Sequence, residues 1–268
     1  MIVDEKEEMI MDDFLKQFKV RCEAEVSHYG FKQKKNVFAR IVNDVFQSFY
    51  IEKLSRHSGE RECRIGFSVL PLCQKLEAKW ALSGVGIYYL KKFEVSPWMG
   101  GDGWRYKIGS EDISVCIDEI LIYINRYLLP FFERSNSCKT ALPEIIALEK
   151  LFNENRKESL RRSGMEDKAG SNAELNLLDN AKYCMALKSG DFDFALKSRK
   201  ALLQQNLDSY NSMSERGYLT EEDRLRREKT LAELRDEIHH LKAKDWDYFK
   251  TIIADNEAHS RERLKGIS

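Results

Sequence analysis

The chain has 268 residues, 43% of them apolar and 33% charged, with four prolines and fourteen glycines. That is too apolar for a disordered tail and too poor in proline and glycine for a collagenous or low-complexity chain; it is also long enough to bury a core without staples. Forty-four basic residues balance forty-four acidic ones, so no overall field recommends DNA, RNA or an anionic membrane as partner.

The chain opens MIVDEKEEMIMDD, acidic where a secretory or organellar presequence is basic. The greasiest segment, ISVCIDEILIYINRYLLPFF, is broken by Asp118, Glu119, Arg126 and Pro130, so it falls short of the roughly 18 uninterrupted apolar residues of a membrane span. Six cysteines (Cys22, Cys63, Cys73, Cys116, Cys138, Cys184) include no C-x-x-C, which speaks against a zinc knuckle or a thioredoxin-like pair. They are expected to be reduced thiols packed as small hydrophobes in a cytoplasmic protein.

Residues 4–29 carry one apolar stripe, Met9, Phe14, Phe18 (or Leu15), Cys22 and Val26, which predicts a helix. Gly30 is placed to end it. From Lys35 the period becomes two. Val37, Ala39 and Ile41 alternate with Phe38 and Arg40; Asn43-Asp44 makes a tight turn; Val45, Phe49 and Ile51 alternate with Phe46, Ser48, Tyr50 and Glu52. Beyond the polar SRHSGERE, Cys63, Ile65, Phe67 and Val69 form a third run and LSGVGIYYL a fourth. Four β-rich runs joined by short turns predict an antiparallel meander, with the first helix as cover for its apolar face.

The segment EVSPWMGGDGWRYKIG (94–109) is irregular and rich in glycine and tryptophan. Ser110 then reads as the N-cap of a helix carrying Ile113, Ile117, Ile120, Ile124 and Leu128 inward, ended or kinked by Pro130 near Leu129. Pro143 is expected to open a helix reaching about Arg162, followed by the linker-like RRSGMEDKAGSN. A helical hairpin of the tetratricopeptide type comes next, at about 174–211, with Gly190 closing its first helix and an aspartate starting its second. No second copy appears at a period near 34 residues, so a solenoid is not expected. Thr220 to Asp223 resembles a capping box for one long last helix, with Leu231, Leu234, Ile238, Leu241, Tyr248 and Ile252 on heptad-like positions and Asp245 interrupting.

The run GFKQKKNVFAR (Gly30 to Arg40) after an amphipathic helix, then VFQSFYIEKL and RIGFSVL, resembles a bacterial domain family of unknown function. RYLLPFFER (126–134) and ALKSGDFDFAL (186–196) resemble that family's downstream helices. The resemblance implies an α+β head with a helical continuation in a bacterial cytoplasmic protein, and it brings no catalytic residues. Some small families of this style are immunity or defence-associated partners, an analogy of style alone.

Candidate chemistry is sparse. Glu25-Val-Ser-His28 and Glu237-Ile-His-His240 both spell E-x-x-H, which sets a carboxylate and an imidazole on one helix face, as di-metal bundles require; glutamate is abundant enough here for both to arise by chance. No H-E-x-x-H, G-x-S-x-G or G-x-x-x-x-G-K-[ST] is present, and Tyr89 stands where a dinucleotide fingerprint needs its third glycine. The basic clusters Lys32/Lys34/Lys35, Arg156/Lys157/Arg161/Arg162 and Arg224/Arg226/Arg227 are interleaved with acids and read as solvated faces. Trp98, Asp102, Trp104 and Tyr106 are the best local signal, since tryptophan and tyrosine anchor interfaces; the competing reading folds both indoles back over the sheet end.

The expected architecture is α+β: an N-terminal helix packed on a four-stranded antiparallel meander (1–135), then a mostly helical C-terminal part (136–268) with one hairpin and a long C-terminal helix. The expected function is a non-enzymatic protein-interaction module, of immunity or defence type by the analogy above. It would partner another protein rather than nucleic acid or a membrane, hold no cofactor, and have in its last helix a route to self-association. The alternative is a hydrolase or metal-dependent enzyme whose site is assembled from scattered Glu, Asp and His residues, with Glu25, His28, Glu237 and His240 as ligands.

Overall fold

In a computed structural model of the chain, which describes residues 5–55, 61–76, 85–91, 106–107, 113–162 and 178–266, the first stripe forms helix α1 (Glu5–Val26). Phe14, Leu15, Phe18, Cys22 and Val26 are all buried. A 3₁₀ turn at Ser27–Tyr29 ends at Gly30, whose φ of 83° lets its N–H reach the Ser27 carbonyl. That backbone conformation penalises any residue with a Cβ.

Among the described residues six strands follow: β1 (Lys32–Lys34), β2 (Val37–Val42), β3 (Val45–Ser55), β4 (Arg61–Pro71), β5 (Val85–Gly86) and β6 (Tyr106–Lys107). They pair antiparallel in the order β1-β2-β3-β4-β5, and β6 also lies on β4. The meander is therefore β1 to β4, and the fold is α+β. Asn43, at φ 51°, makes the β2–β3 turn with Asp44. Two differences from the sequence reading stand out. The basic run at Lys32 is an edge strand, where lysines discourage pairing with a further chain. In the fourth apolar run the described residues form the two-residue β5 and then a 3₁₀ turn at Ile87–Lys91.

Cross-strand neighbours Phe38, Phe49 and Phe67 line one face of the sheet. Phe18 of α1 meets Phe38 edge-on at 6.1 Å, and Phe131 and Phe132 meet Phe67 and Phe49. The opposite face is buried as well, including Ala39, Phe46, Ser48, Tyr50, Ser68 and Leu70. Alternation suggested one covered face because serine and tyrosine read as solvent-facing. Here Ser48 and Ser68 hydrogen-bond each other at 2.9 Å, and the Tyr50 ring lies across its partner Gly66.

Arg40 is the charged exception on the α1 face. Its Nε donates to Gln47 Oε1 (2.7 Å), one Nη to the Tyr29 carbonyl (2.6 Å) and the other to Glu133 (2.6 Å). Gln47 donates in turn to the carbonyls of Phe132 (2.7 Å) and Ser135 (2.9 Å). Every arm of the guanidinium has a partner, which is the condition for burying it.

Helix α2 (Ile113–Tyr123) runs through a π turn at Ile124–Leu128 into α3 (Leu129–Arg134). Pro130 neither stops the helix nor breaks it, because Leu129 bonds five residues back to Ile124. The wider turn makes room for a ring that has no N–H to offer and would clash with the preceding turn of an α-helix. Helix α4 (Cys138–Arg162) begins five residues ahead of Pro143. Its first N–H, on Cys138, is taken by Asp44 Oδ1 at 2.9 Å and another by Ser137 Oγ, so proline sits inside the helix on an exposed side.

The hairpin consists of α5 (Asp179–Lys188) and α6 (Phe192–Glu215). Gly190 turns at φ 76° and Asp191 accepts from Phe194 N. Thr220 caps α7 (Glu221–Ala243) by accepting from Asp223 N at 3.1 Å. The expected single last helix is two. Lys244 adopts φ 52° and Asp245 caps α8 (Trp246–Arg263), accepting from Tyr248 N. The aspartate that interrupted the heptads is thus a helix start, and the inward residue on α8 is Ile253 rather than Ile252.

One contiguous set of buried side chains extends from Phe14 to Leu264, so residues 1–135 and 136–268 share a core. Their joint is the 3₁₀ turn Leu72–Gln74, against which α5 and α8 pack. Ser260 accepts from Leu76 N (2.8 Å) and donates to the Leu72 carbonyl (2.6 Å), and Asn256 donates to the Cys73 carbonyl (3.0 Å). Among the described residues no helix is long and apolar enough to cross a membrane.

Candidate functional site

A cavity of about 590 Å³ opens between α4, α5 and α6, within the size range of small-ligand and side-chain pockets. From α6 it is lined by Phe194, Lys197, Ser198, Ala201, Leu202 and Gln205. Those positions recur every three or four residues, so they form one face of the helix. Across from them stand Glu149 of α4 and Asp179, Asn180 and Lys182 of α5.

The cavity wall is built from paired charges. Lys182 is 6% exposed, one cation within the run of buried residues Ala181 to Leu187. It is paired with Glu149 and, at 3.0 Å, with Asp179. Arg199 lies 3.4 Å over the Tyr183 ring and pairs with Glu237 at 2.6 Å; the Tyr183 hydroxyl also donates to Glu237 at 3.4 Å. Burial pushes the Tyr183 phenol above its ordinary range. The wall therefore presents balanced polarity beside two apolar contacts, Phe194 and Leu202. It suits a chain segment with mixed side chains better than a single strongly charged ligand.

A second cluster lies at the joint between sheet and helices. Cys73 of the 3₁₀ turn, Cys138 at the start of α4 and Cys184 of α5 come together, the N–H of Leu72 before Cys73 sharing the Asp44 carbonyl with Cys138 Sγ. Cys73 Sγ also reaches the Cys184 carbonyl at 3.5 Å, and Cys138 Sγ the Asp44 carbonyl at 3.7 Å. Interaction with Cys138 and Cys184 holds the Cys73 thiol well below the usual thiol range, and interaction with Cys73 raises those two. Burial pushes the Cys22 and Cys116 thiols up, Cys116 to about 12.

The residues singled out in the sequence are placed as follows. Trp98, Asp102 and Trp104 lie outside the described residues, as does Ser110. Tyr106 contributes backbone to β6 opposite Cys63. Glu25 accepts from Asn125 at 3.2 Å, and exposed His28 sets its ring 4.1 Å from that of Tyr29. Glu237 belongs to Arg199 and Tyr183, while His240 bonds Asp245 at 2.9 Å and stacks on Tyr248 at 3.7 Å. These four are not drawn into one ligand set; among the described residues no group of three or more His, Cys, Asp or Glu side chains is placed to hold a metal ion. Sequence reasoning missed Glu149, Lys182, Tyr183 and Arg199. Lys182 alone left a signal, a charge inside an apolar run. Comparison of the chain with family models, with curated proteins and with solved structures finds no match in any of the three.

Proposed function

We propose that the chain is a non-enzymatic module that binds another protein, taking a segment of it along α6. The observation that carries this reading is the face Phe194/Lys197/Ser198/Ala201/Leu202/Gln205, which lines a cavity among the described residues. The same helix continues outward with α7 as a two-helix arm in which none of residues 201–230 is buried. At the arm's far end Tyr218 and Leu225 are 67% and 60% exposed. Aromatic and aliphatic groups presented on a rigid helical support are the usual anchors of a protein interface. The Trp98–Tyr106 segment is a second candidate contact in this reading, on its composition alone.

A photo-crosslinking amino acid placed at Gln205, with Lys16 on α1 as control position, tests the proposal in cells of the native host. A discrete adduct with one other polypeptide from position 205, absent from position 16, is the expected result. Cross-links confined to this chain's own residues 163–177, or none at all, overturn it.

A further inference from the structure

We infer that Cys73, Cys138 and Cys184 form an oxidisable site that closes into one intramolecular disulfide through Cys73, stapling the sheet to the helical part. The inference rests on three observations. Cys73 Sγ lies 3.5 Å from the Cys184 carbonyl, and Cys138 Sγ meets the Asp44 carbonyl that also accepts from Leu72, the residue before Cys73, so both other thiols stand beside Cys73. The three come from separate elements, the turn after β4, the start of α4 and α5, so a bond from Cys73 to either neighbour crosses the joint. Cys73, Cys138 and Cys184 are all buried, which keeps a protein thiol from reaching them and makes a small hydroperoxide the oxidant of this proposal.

The chemistry balances with a hydroperoxide as oxidant. The Cys73 thiolate attacks the distal peroxide oxygen, the O–O bond breaks, and the alkoxide or hydroxide leaves with a proton, giving a sulfenic acid on Cys73. The Cys138 or Cys184 sulfur then attacks the Cys73 sulfur, forming the S–S bond and expelling the hydroxyl as water. Two thiols lose two electrons and two protons, and the peroxide takes up both electrons. Because Cys73 stands beside both other thiols, it is the sulfur common to either bond. The third thiol remains able to exchange with the bond once made.

The test treats the purified full chain with one to two equivalents of hydrogen peroxide, counts free thiols, and maps unreduced peptides by mass spectrometry. Loss of two thiols per chain, with Cys73 linked to Cys138 or Cys184 and with Cys22 and Cys116 still free, is the expected result. A Cys73→Ser chain should retain its thiols at the same dose, and a Cys116→Ser chain should still form the bond. Because mapping is done on the unaltered protein, the answer does not depend on whether a variant folds. Oxidation spread evenly over the cysteines, bonds only between chains, no thiol loss, or protection of all three sulfurs by a co-purified metal would each overturn the inference.

Discussion

Gln47 is held by what it gives as much as by what it accepts, and Gln47→Glu separates the two. Glutamate keeps the shape and the acceptor for Arg40 Nε at 2.7 Å, but loses both donated bonds, to Phe132 O at 2.7 Å and Ser135 O at 2.9 Å. It also turns a carboxylate oxygen toward two carbonyls. Phe132 O still accepts from Ser135 N at 3.1 Å, so the Ser135 carbonyl bears most of the loss. A buried polar group stripped of its partner costs about 1–3 kcal/mol. Adding the carboxylate–carbonyl repulsion and subtracting a closer charge pair with Arg40 leaves a net loss of about 2–4 kcal/mol. For a chain of this size that lowers the melting temperature by roughly 4–16 °C, to be read by far-UV circular dichroism with a urea titration alongside. A Gln47→Glu protein that melts at or above the parent temperature would refute the claim that the amide's donation fastens α3 to the sheet.

Four further outcomes are expected. Gly66→Ala places a Cβ 2.4 Å from the Tyr50 ring and should cost about 1–3 kcal/mol by overpacking, most of it recovered in the Gly66→Ala/Tyr50→Leu double variant; urea midpoints decide. Glu149→Leu strands buried Lys182 with only the exposed Asp179 and should destabilise by about 3 kcal/mol, whereas adding Lys182→Met should restore most of that; lack of coupling between the two changes would show the pair to be unimportant. Asp191→Ala and Thr220→Ala each remove a side-chain cap and should each lower stability by about 0.5–2 kcal/mol, with faster amide exchange confined to the first turns of α6 and α7. The hydrogen bond to His240, together with the Tyr248 N–H, lowers the Asp245 carboxyl. A folded-state value below the unfolded one gives stabilisation that is present above the ordinary carboxylate range and lost as pH falls through the depressed value. Hydrogen exchange at the start of α8, corrected for intrinsic rates, should therefore accelerate on acidification below about pH 4, and should not do so in Asp245→Asn.

Local chemistry was legible in the sequence and long-range chemistry was not. The stripe of α1, the Asn43-Asp44 turn, the Gly190-Asp191 junction and the Thr220 cap each depend on residues a few positions apart, and each formed as read. Proline was read too literally at both sites. A π turn absorbs Pro130, and a start earlier than the proline absorbs Pro143, neither of which leaves a mark in hydrophobic period. Asp245 was seen as a flaw in a heptad pattern, although its preference for capping was the stronger physical signal. Burial of the sheet's second face was hidden because Ser48 and Ser68 satisfy each other across two strands. The cavity wall and the thiol cluster were invisible for the same reason: Cys73, Cys138 and Cys184 meet only after the chain has folded back on itself, and nothing in their spacing announces it.

The grip of Ser260 and Asn256 on the turn after β4 has a consequence for how the protein is made. The partners of Leu72 and Cys73 in these bonds lie 188 and 183 positions downstream. At a ribosomal pace of about 5–20 residues per second, the sheet emerges roughly 10–40 s before the helix that fastens its last turn has been synthesised. During that interval Leu72 and Leu76 face solvent or a chaperone instead of α8. A nascent chain stalled before residue 246 should present a bindable greasy edge, and a ribosome-associated chaperone should release it only after the final helix arrives.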